Sequence, residues 1–419
     1  MHYFHSLLYT ACAAVIAGTA GAMTFPPVSD LPEQQDLPDP FASLSGEKIG
    51  TAEQWMTVRR PEIQALVQHY MYGFAPDAPK VAFTVDQVYT DVLDGKATLK
   101  EVTISFPELG EGAPAIHLAL FLPNKAEGPV PVFLGLNKCG NHTVLSDPRI
   151  AIDEDAWRHD NCEKAEGRGA KEDFWCVPYL ISRGYGLATF HESNIDPDRH
   201  DFTDGIHAKY ELPQEPGAQW GTLRAWAWGL SRCVDYLVTD TGVAGNRIAL
   251  IGHSRRGKTA LLATALDDRV AMVVPHQSGT GGMALSRDND EETVKRINTH
   301  FPHWFNDNFT HFNDNEYALP FDQHLVISLV APRPLMETSG LKDTWANYKS
   351  SLKAIQAADP VYKLLGSRGI LDDGMLEAEK VTRDSAGPLL QYRLDTRHTL
   401  TEAYWQAILD FADLYMTGK

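Results

Sequence analysis

Residues 247–258 read RIALIGHSRRGK, an apolar run that enters Gly252-His253-Ser254-Arg255-Arg256-Gly257 and continues into a helical pattern. A serine on a sharp strand-to-helix turn exposes its Oγ and leaves the N–H groups after it without intrahelical partners, as a nucleophile elbow requires. The pattern departs from G-x-S-x-G, because the second glycine falls three residues after the serine. The plainer reading of Ser254 is a polar turn or a helix N-cap. A serine hydroxyl needs a base, and the base needs an orienting acid. On a sheet of this kind the chain order is serine, acid, histidine. The run 333–338 leads into Ser339-Gly340-Leu341-Lys342-Asp343, which makes Asp343 the expected acid. A single histidine follows His324, namely His398, just ahead of the C-terminal helical pattern, and it is the expected base. The chemistry is acyl transfer to a serine followed by hydrolysis.

The elements that must position these residues alternate. Short apolar runs at 99–106, 116–122 and 130–136, bounded by Gly, Pro and Asn, read as strands. Further strands are expected at 186–190, 247–252, 271–275, 333–338 and 389–394. Leu223, Ala227, Leu230, Val234 and Leu237 recur on one helical face, and helices are also expected at 53–72, from 259 and over 400–416. Strands alternating with helices give a mostly parallel sheet covered on both faces, and a serine elbow on such a sheet makes an α/β-hydrolase fold in three αβα layers the expectation. Two Gly/Asp/His-rich stretches, 137–178 and 192–219, fit no regular element and are expected as long loops above the sheet edge, where ligands bind in such folds.

Composition sets the outer bounds. The chain has 419 residues, 43% of them hydrophobic, and a net charge of −18. So acidic a surface repels phosphate backbones and excludes nucleic acid as a partner. Beyond the N-terminus no apolar run is long enough to span a membrane. Residues 6–22 are uncharged, apolar or small, and end in Ala20-Gly21-Ala22, so 1–22 is expected to be a cleaved signal peptide and the protein periplasmic or secreted. Residues 23–45 read as an extended leader, and 46–419 as one catalytic domain expected to act as a monomer. Cys139, Cys162, Cys176 and Cys233 allow up to two bridges in three pairings. A zinc site using His142 and His159 beside Cys139 and Cys162 is the rival reading, but no C-x-x-C pair supports it, and no metal is expected.

GHSRRGK, the helix AWAWGLSR (225–232), VAPRPL (330–335), DTWAN (343–347) and the C-terminal His398 together resemble the bacterial glucuronoyl esterases of carbohydrate esterase family 15. The resemblance runs from about residue 51 to the end. It implies a cofactor-free serine esterase that cleaves esters of 4-O-methyl-glucuronate, as in the links between glucuronoxylan and lignin. It implies Ser254 as nucleophile, His398 as base and Arg255 as the oxyanion arginine. It also implies Lys258, Glu292 and Trp345 as sugar contacts. Many members carry their acid in a Glu-Ser-Gly setting after the strand that follows the nucleophile helix. This chain has Gln277-Ser278-Gly279 there, and the acid role passes to Asp343. Another secreted α/β-hydrolase, such as an acetyl-xylan esterase or peptidase, and a non-catalytic carbohydrate-binding protein are the alternatives. The serine, acid and histidine in order disfavour the last, and Arg255, Lys258 and Trp345 favour the uronate ester.

Overall fold

The computed structural model describes residues 24–162, 167–211, 217–287 and 289–418, so the expected signal segment lies outside them. Ten strands among the described residues form one sheet. They are β1 (Ala82–Asp91), β2 (Ala97–Ser105), β3 (Ile116–Pro123), β4 (Val130–Asn137), β5 (Gly186–His191), β6 (Val243–His253), β7 (Met272–His276), β8 (Leu335–Gly340), β9 (Met375–Glu377) and β10 (Leu389–Leu394). Their spatial order is β1-β2-β3-β5-β4-β6-β7-β8-β10-β9. The pairs from β1 to β5 are antiparallel, and every pair from β5 to β9 is parallel. The chain order reverses at β4, whose neighbours are β5 and β6. That makes the β4/β6 boundary the switch point at which such sheets bind ligands.

Side chains alternate between two cores because the pleat has period two. Val132, Leu134, Ile248 and Leu250 face one core, Phe133, Ala249 and Ile251 the other. Helices α2 (Thr222–Leu237), α3 (Arg255–Leu266) and α4 (Tyr348–Leu364) cover the first face, and α1 (Val177–Ser182) and α5 (Glu402–Ala412) the second. The expected α/β-hydrolase layers are therefore present. The leader docks on the body: Phe25, Val28, Leu31, Leu37 and Phe41 pack on the first core, and Tyr70 donates to the Pro26 carbonyl at 2.6 Å.

The sequence reading differs from the structure at several elements. β1 and β9 were not expected, since β1 is an edge strand with scarcely a buried side chain and β9 has three residues. Helix α4 carries Pro360 in its interior, which breaks the helical signal. The stretch 137–178 is not all loop, because a turn of helix forms at Glu172–Trp175 and α1 begins at Val177 with Pro178 in its first turn, where a missing N–H costs nothing. No helix of the described residues is long and apolar enough to cross a membrane.

Candidate active site

Ser254 follows β6 directly and caps α3 with φ 60° and ψ −127°. A left-handed serine there costs about 1–3 kcal/mol and turns Oγ away from the sheet. Two glycines make the turn tight enough. A Cβ on Gly252 would lie 2.0 Å from the Arg256 carbonyl oxygen, and one on Gly257 would lie 2.7 Å from the Gly252 oxygen. The spacing G-x-S-x-x-G thus answers a contact between the two glycines themselves. The Ser254 N–H donates to the His276 carbonyl at 2.9 Å, which extends the β6/β7 ladder into the turn.

Asp343 and His398 leave the same sheet edge, from β8 and β10. Their loops are laced together, with Leu341 N–H on the Leu394 carbonyl and Lys342 N–H on that of Thr396, each at 2.9 Å. His398 Nδ1 donates to Asp343 Oδ2 at 2.6 Å. Asp343 is buried, whereas the His398 side chain remains 40% exposed, facing the cleft that holds Ser254. The hydrogen bond fixes the proton on Nδ1 and leaves Nε2 as the basic nitrogen.

Gln277 stands at the end of β7 with φ 47°. Its Nε2 donates to the Arg397 carbonyl at 2.9 Å, so its Oε1 accepts from His253 Nε2 at 3.2 Å. His253 in turn packs on the His398 ring with centroids 4.2 Å apart, and on His276 at 5.0 Å. Burial, reinforced by His276 and His398, pushes His253 well below the usual histidine range. Burial likewise brings His276 down to about 3, with Nε2 donating to the Thr399 carbonyl at 2.9 Å. Two neutral rings therefore back the exposed one.

Arg255 is held on its far side. Its Nη1 donates to Asp198 Oδ2 at 2.5 Å, and its guanidinium lies 4.2 Å from the Trp304 ring centroid and 4.5 Å from that of Phe301. Asp198 also accepts from His303 Nε2 and Trp304 Nε1, both at 2.9 Å. Burial raises the Asp198 carboxyl, but the His303 hydrogen bond and the Arg255 charge outweigh it and keep the group below the ordinary carboxylate range. Arg256 pairs with the buried Glu192, at 2.6 Å from Nε to Oε2 and 2.7 Å from Nη2 to Oε1. His159, Glu192 and Asp198 lie close enough to share a metal ion. Both carboxylates already face guanidinium groups, which an incoming cation would have to displace. The sulfur ligands of the rival zinc reading are committed elsewhere, since Cys139 and Cys162 form a disulfide and Cys176 and Cys233 are free and buried.

Lys258, expected as a sugar contact, is turned inward and pairs with Glu292. Lys258 is 2% exposed, and its Nζ donates to the Ser278 and Thr280 carbonyls, each at 2.6 Å, and to Glu292 Oε2 at 3.0 Å. All three ammonium donors are therefore used internally. Glu292 Oε2 also accepts from the Thr280 N–H at 2.8 Å. Trp345 is 41% exposed on the Asp343 loop. That loop is tied to the buried pair through Asn347 to Asn289 at 2.9 Å and Asn289 to Thr280 at 2.7 Å. Sequence reasoning did not find Asp198, His303 and Trp304. The one signal was the unassigned loop 192–219, which supplies Asp198.

Serine chemistry at the switch point of a mostly parallel sheet, with acid and base following in that order along the chain, is the arrangement of the α/β-hydrolases, and of the serine esterases among them. The family model "Glucuronyl esterase, fungi" matches residues 172–366. Carbohydrate esterase MZ0003, from an unknown prokaryotic organism, is 42% identical over 91% of this chain and 90% of its own. A 4-O-methyl-glucuronoyl methylesterase of Schizophyllum commune is 30% identical over 79% of this chain and 74% of its own. The solved structure of a glucuronoyl esterase from Solibacter usitatus superposes with a TM-score of 0.83 at 37% identity, covering 92% of this chain and 99% of that one. The chain belongs to the glucuronoyl esterases of carbohydrate esterase family 15, and it is a carboxylic ester hydrolase.

Proposed function

We propose that the protein hydrolyses esters of the glucuronate carboxyl group, 4-O-methylated or not, as occur where glucuronoxylan side groups meet lignin alcohols. Ser254 is the nucleophile, His398 the base and Asp343 its orienting acid. His398 Nε2 takes the Ser254 proton as Oγ attacks the ester carbonyl, and Asp343 stabilises the imidazolium through Nδ1. The oxyanion meets the Arg255 N–H at the start of α3 and the guanidinium that Asp198 and Trp304 hold in place. The imidazolium then gives its proton to the departing alcohol, leaving a glucuronoyl ester on Ser254. Water activated by the same nitrogen releases the acid. The carrying observation is the 2.6 Å Asp343–His398 bond on two laced loops beside the Ser254 turn. The activity named for the Schizophyllum relative supports the substrate class. Trp345, exposed on the acid loop, and Glu292 are the sugar-side contacts, with Lys258 holding Glu292 in place.

The protein acts as a monomer in the periplasm or outside the cell, where its polymer substrate is found. The apolar segment 6–22 and the Cys139–Cys162 bridge both favour an oxidising compartment. Comparing turnover of benzyl glucuronate, benzyl galacturonate and an aryl acetate tests the substrate reading. Glucuronate should lead, and Ser254→Ala should abolish all three with a loss of ~10⁴–10⁶ in kcat. Equal turnover of the acetate would overturn the uronate reading, and a variant retaining a tenth of the rate would move the nucleophile elsewhere.

A further inference from the structure

The cleft beside Ser254 has a charge composition that acyl transfer does not require. It measures about 390 Å³ and is lined by Lys138, Lys171, Arg255 and Arg256, with no carboxylate among its described lining residues. This stands on a chain of net charge −18. The two guanidinium groups are compensated from behind, Arg255 by Asp198 and Arg256 by Glu192. No carboxylate lines the cleft beside the two lysines, although the buried Glu192 and Asp198 also act on Lys138. Burial, and then the nearby Arg256 guanidinium, lowers the Lys138 ammonium from its ordinary value. An anion beside it would relieve the repulsion between these cations.

The position of the cleft identifies which half of an ester it serves. Its walls come from the end of β4, from Lys171, Phe174 and Trp175, from the Ser254 turn, and from His398 to Leu400. Lys258, Glu292 and Trp345 are not among its walls. His398 must hand a proton to the leaving oxygen, so the alcohol has to lie on the side where His398 forms the wall. Phe174 is partly exposed there and offers an aromatic surface.

We infer that this cleft is the alcohol subsite, and that it takes an arylalkyl alcohol bearing a carboxylate, the ring against Phe174 and the carboxylate between Lys138 and Lys171. The inference rests on the glucuronate-ester reading for the identity of the acyl half. The test compares kcat/KM for benzyl glucuronate and its para-carboxybenzyl counterpart. The carboxylated ester should be favoured by roughly tenfold at low ionic strength, with the preference shrinking as salt screens it. In Lys138→Met/Lys171→Met the ratio of the two esters should fall to near one. A wild-type ratio of one or below, or a double variant that keeps the preference, overturns the subsite. Titrating Ser254→Ala with para-(hydroxymethyl)benzoate and with benzyl alcohol tests the subsite without turnover. Tighter binding of the benzoate, lost in the lysine double variant, supports it, and equal binding overturns it. If neither ester is hydrolysed, the uronate reading fails, and this titration still decides for or against the anion-binding cleft.

Discussion

Gln277 and Asp343 leave the ends of neighbouring strands, and only the second can carry the charge that an imidazolium needs. Asp343→Asn keeps the hydrogen-bonding shape but allows the wrong His398 tautomer, and kcat should fall roughly 10³–10⁴-fold. Gln277 braces the Arg397 carbonyl next to His398, so Gln277→Ala should cost far less. Steady-state turnover of benzyl glucuronate by the two variants measures the contrast, and a nearly silent Asp343→Asn would exclude that residue as the acid. Lys258 calls for a different expectation. It is buried, and its partners are Glu292 and two carbonyls. Lys258→Ala leaves a carboxylate inside the protein without its counter-charge, a loss of about 3–5 kcal/mol of stability. Urea denaturation reads this, and an unchanged midpoint would mean that Lys258 faces substrate instead. Ser254, Asp343 and His398 were legible because each sits at a strand end in a fixed chain order. The Arg255 support was not, because Asp198 and His303 are far apart in sequence and meet only through the fold.

At the scale of elements, the nucleophile turn depends on glycine. A methyl on Gly252 would sit 2.0 Å from a backbone oxygen of α3, which cannot move without moving Ser254. Gly252→Ala should therefore lose nearly all activity and also lower stability by more than the 1–3 kcal/mol typical of an overpacked core. The melting temperature together with turnover checks this, and a stable, active variant would show that the strand end can shift. The sequence departs from G-x-S-x-G by one position, and the strand–turn–helix still closes, because α3 meets the strand at Gly257. Strands buried on both faces were readable as continuous apolar runs, as for β4 and the second half of β6. β1 was not, since an exposed edge strand carries little apolar signal. Pro360 hid α4 because the surrounding packing outweighs its local penalty. The disulfide pairing could not be chosen from sequence, since it depends on how the insertion after β4 folds back on the strand end.

For the molecule as a whole, the acidic surface and the cationic cleft divide the charge by location, and one buried carboxyl links stability to pH. Glu337 lies inside β8, two strands from the nucleophile strand. Burial pushes its carboxyl up to about 7 from the usual 4.5, against the Gln391 hydrogen bond and the Arg393 charge, which favour ionisation. A carboxyl whose folded value is raised binds its proton more tightly in the folded state, so it favours folding fully below about 4.5 and loses that contribution as pH rises through about 7. The gap corresponds to roughly 3 kcal/mol at most. Glu337→Gln keeps an acceptor for Gln391 but has no charge to bury. The variant should match the wild type near the acid end of this window and exceed it by roughly 1–3 kcal/mol at a pH above about 7. Denaturant unfolding of both proteins at the two ends of the window makes the comparison. If the difference between them is the same at both ends, the Glu337 charge is already compensated in the folded state, and the pH dependence of stability must come from other groups.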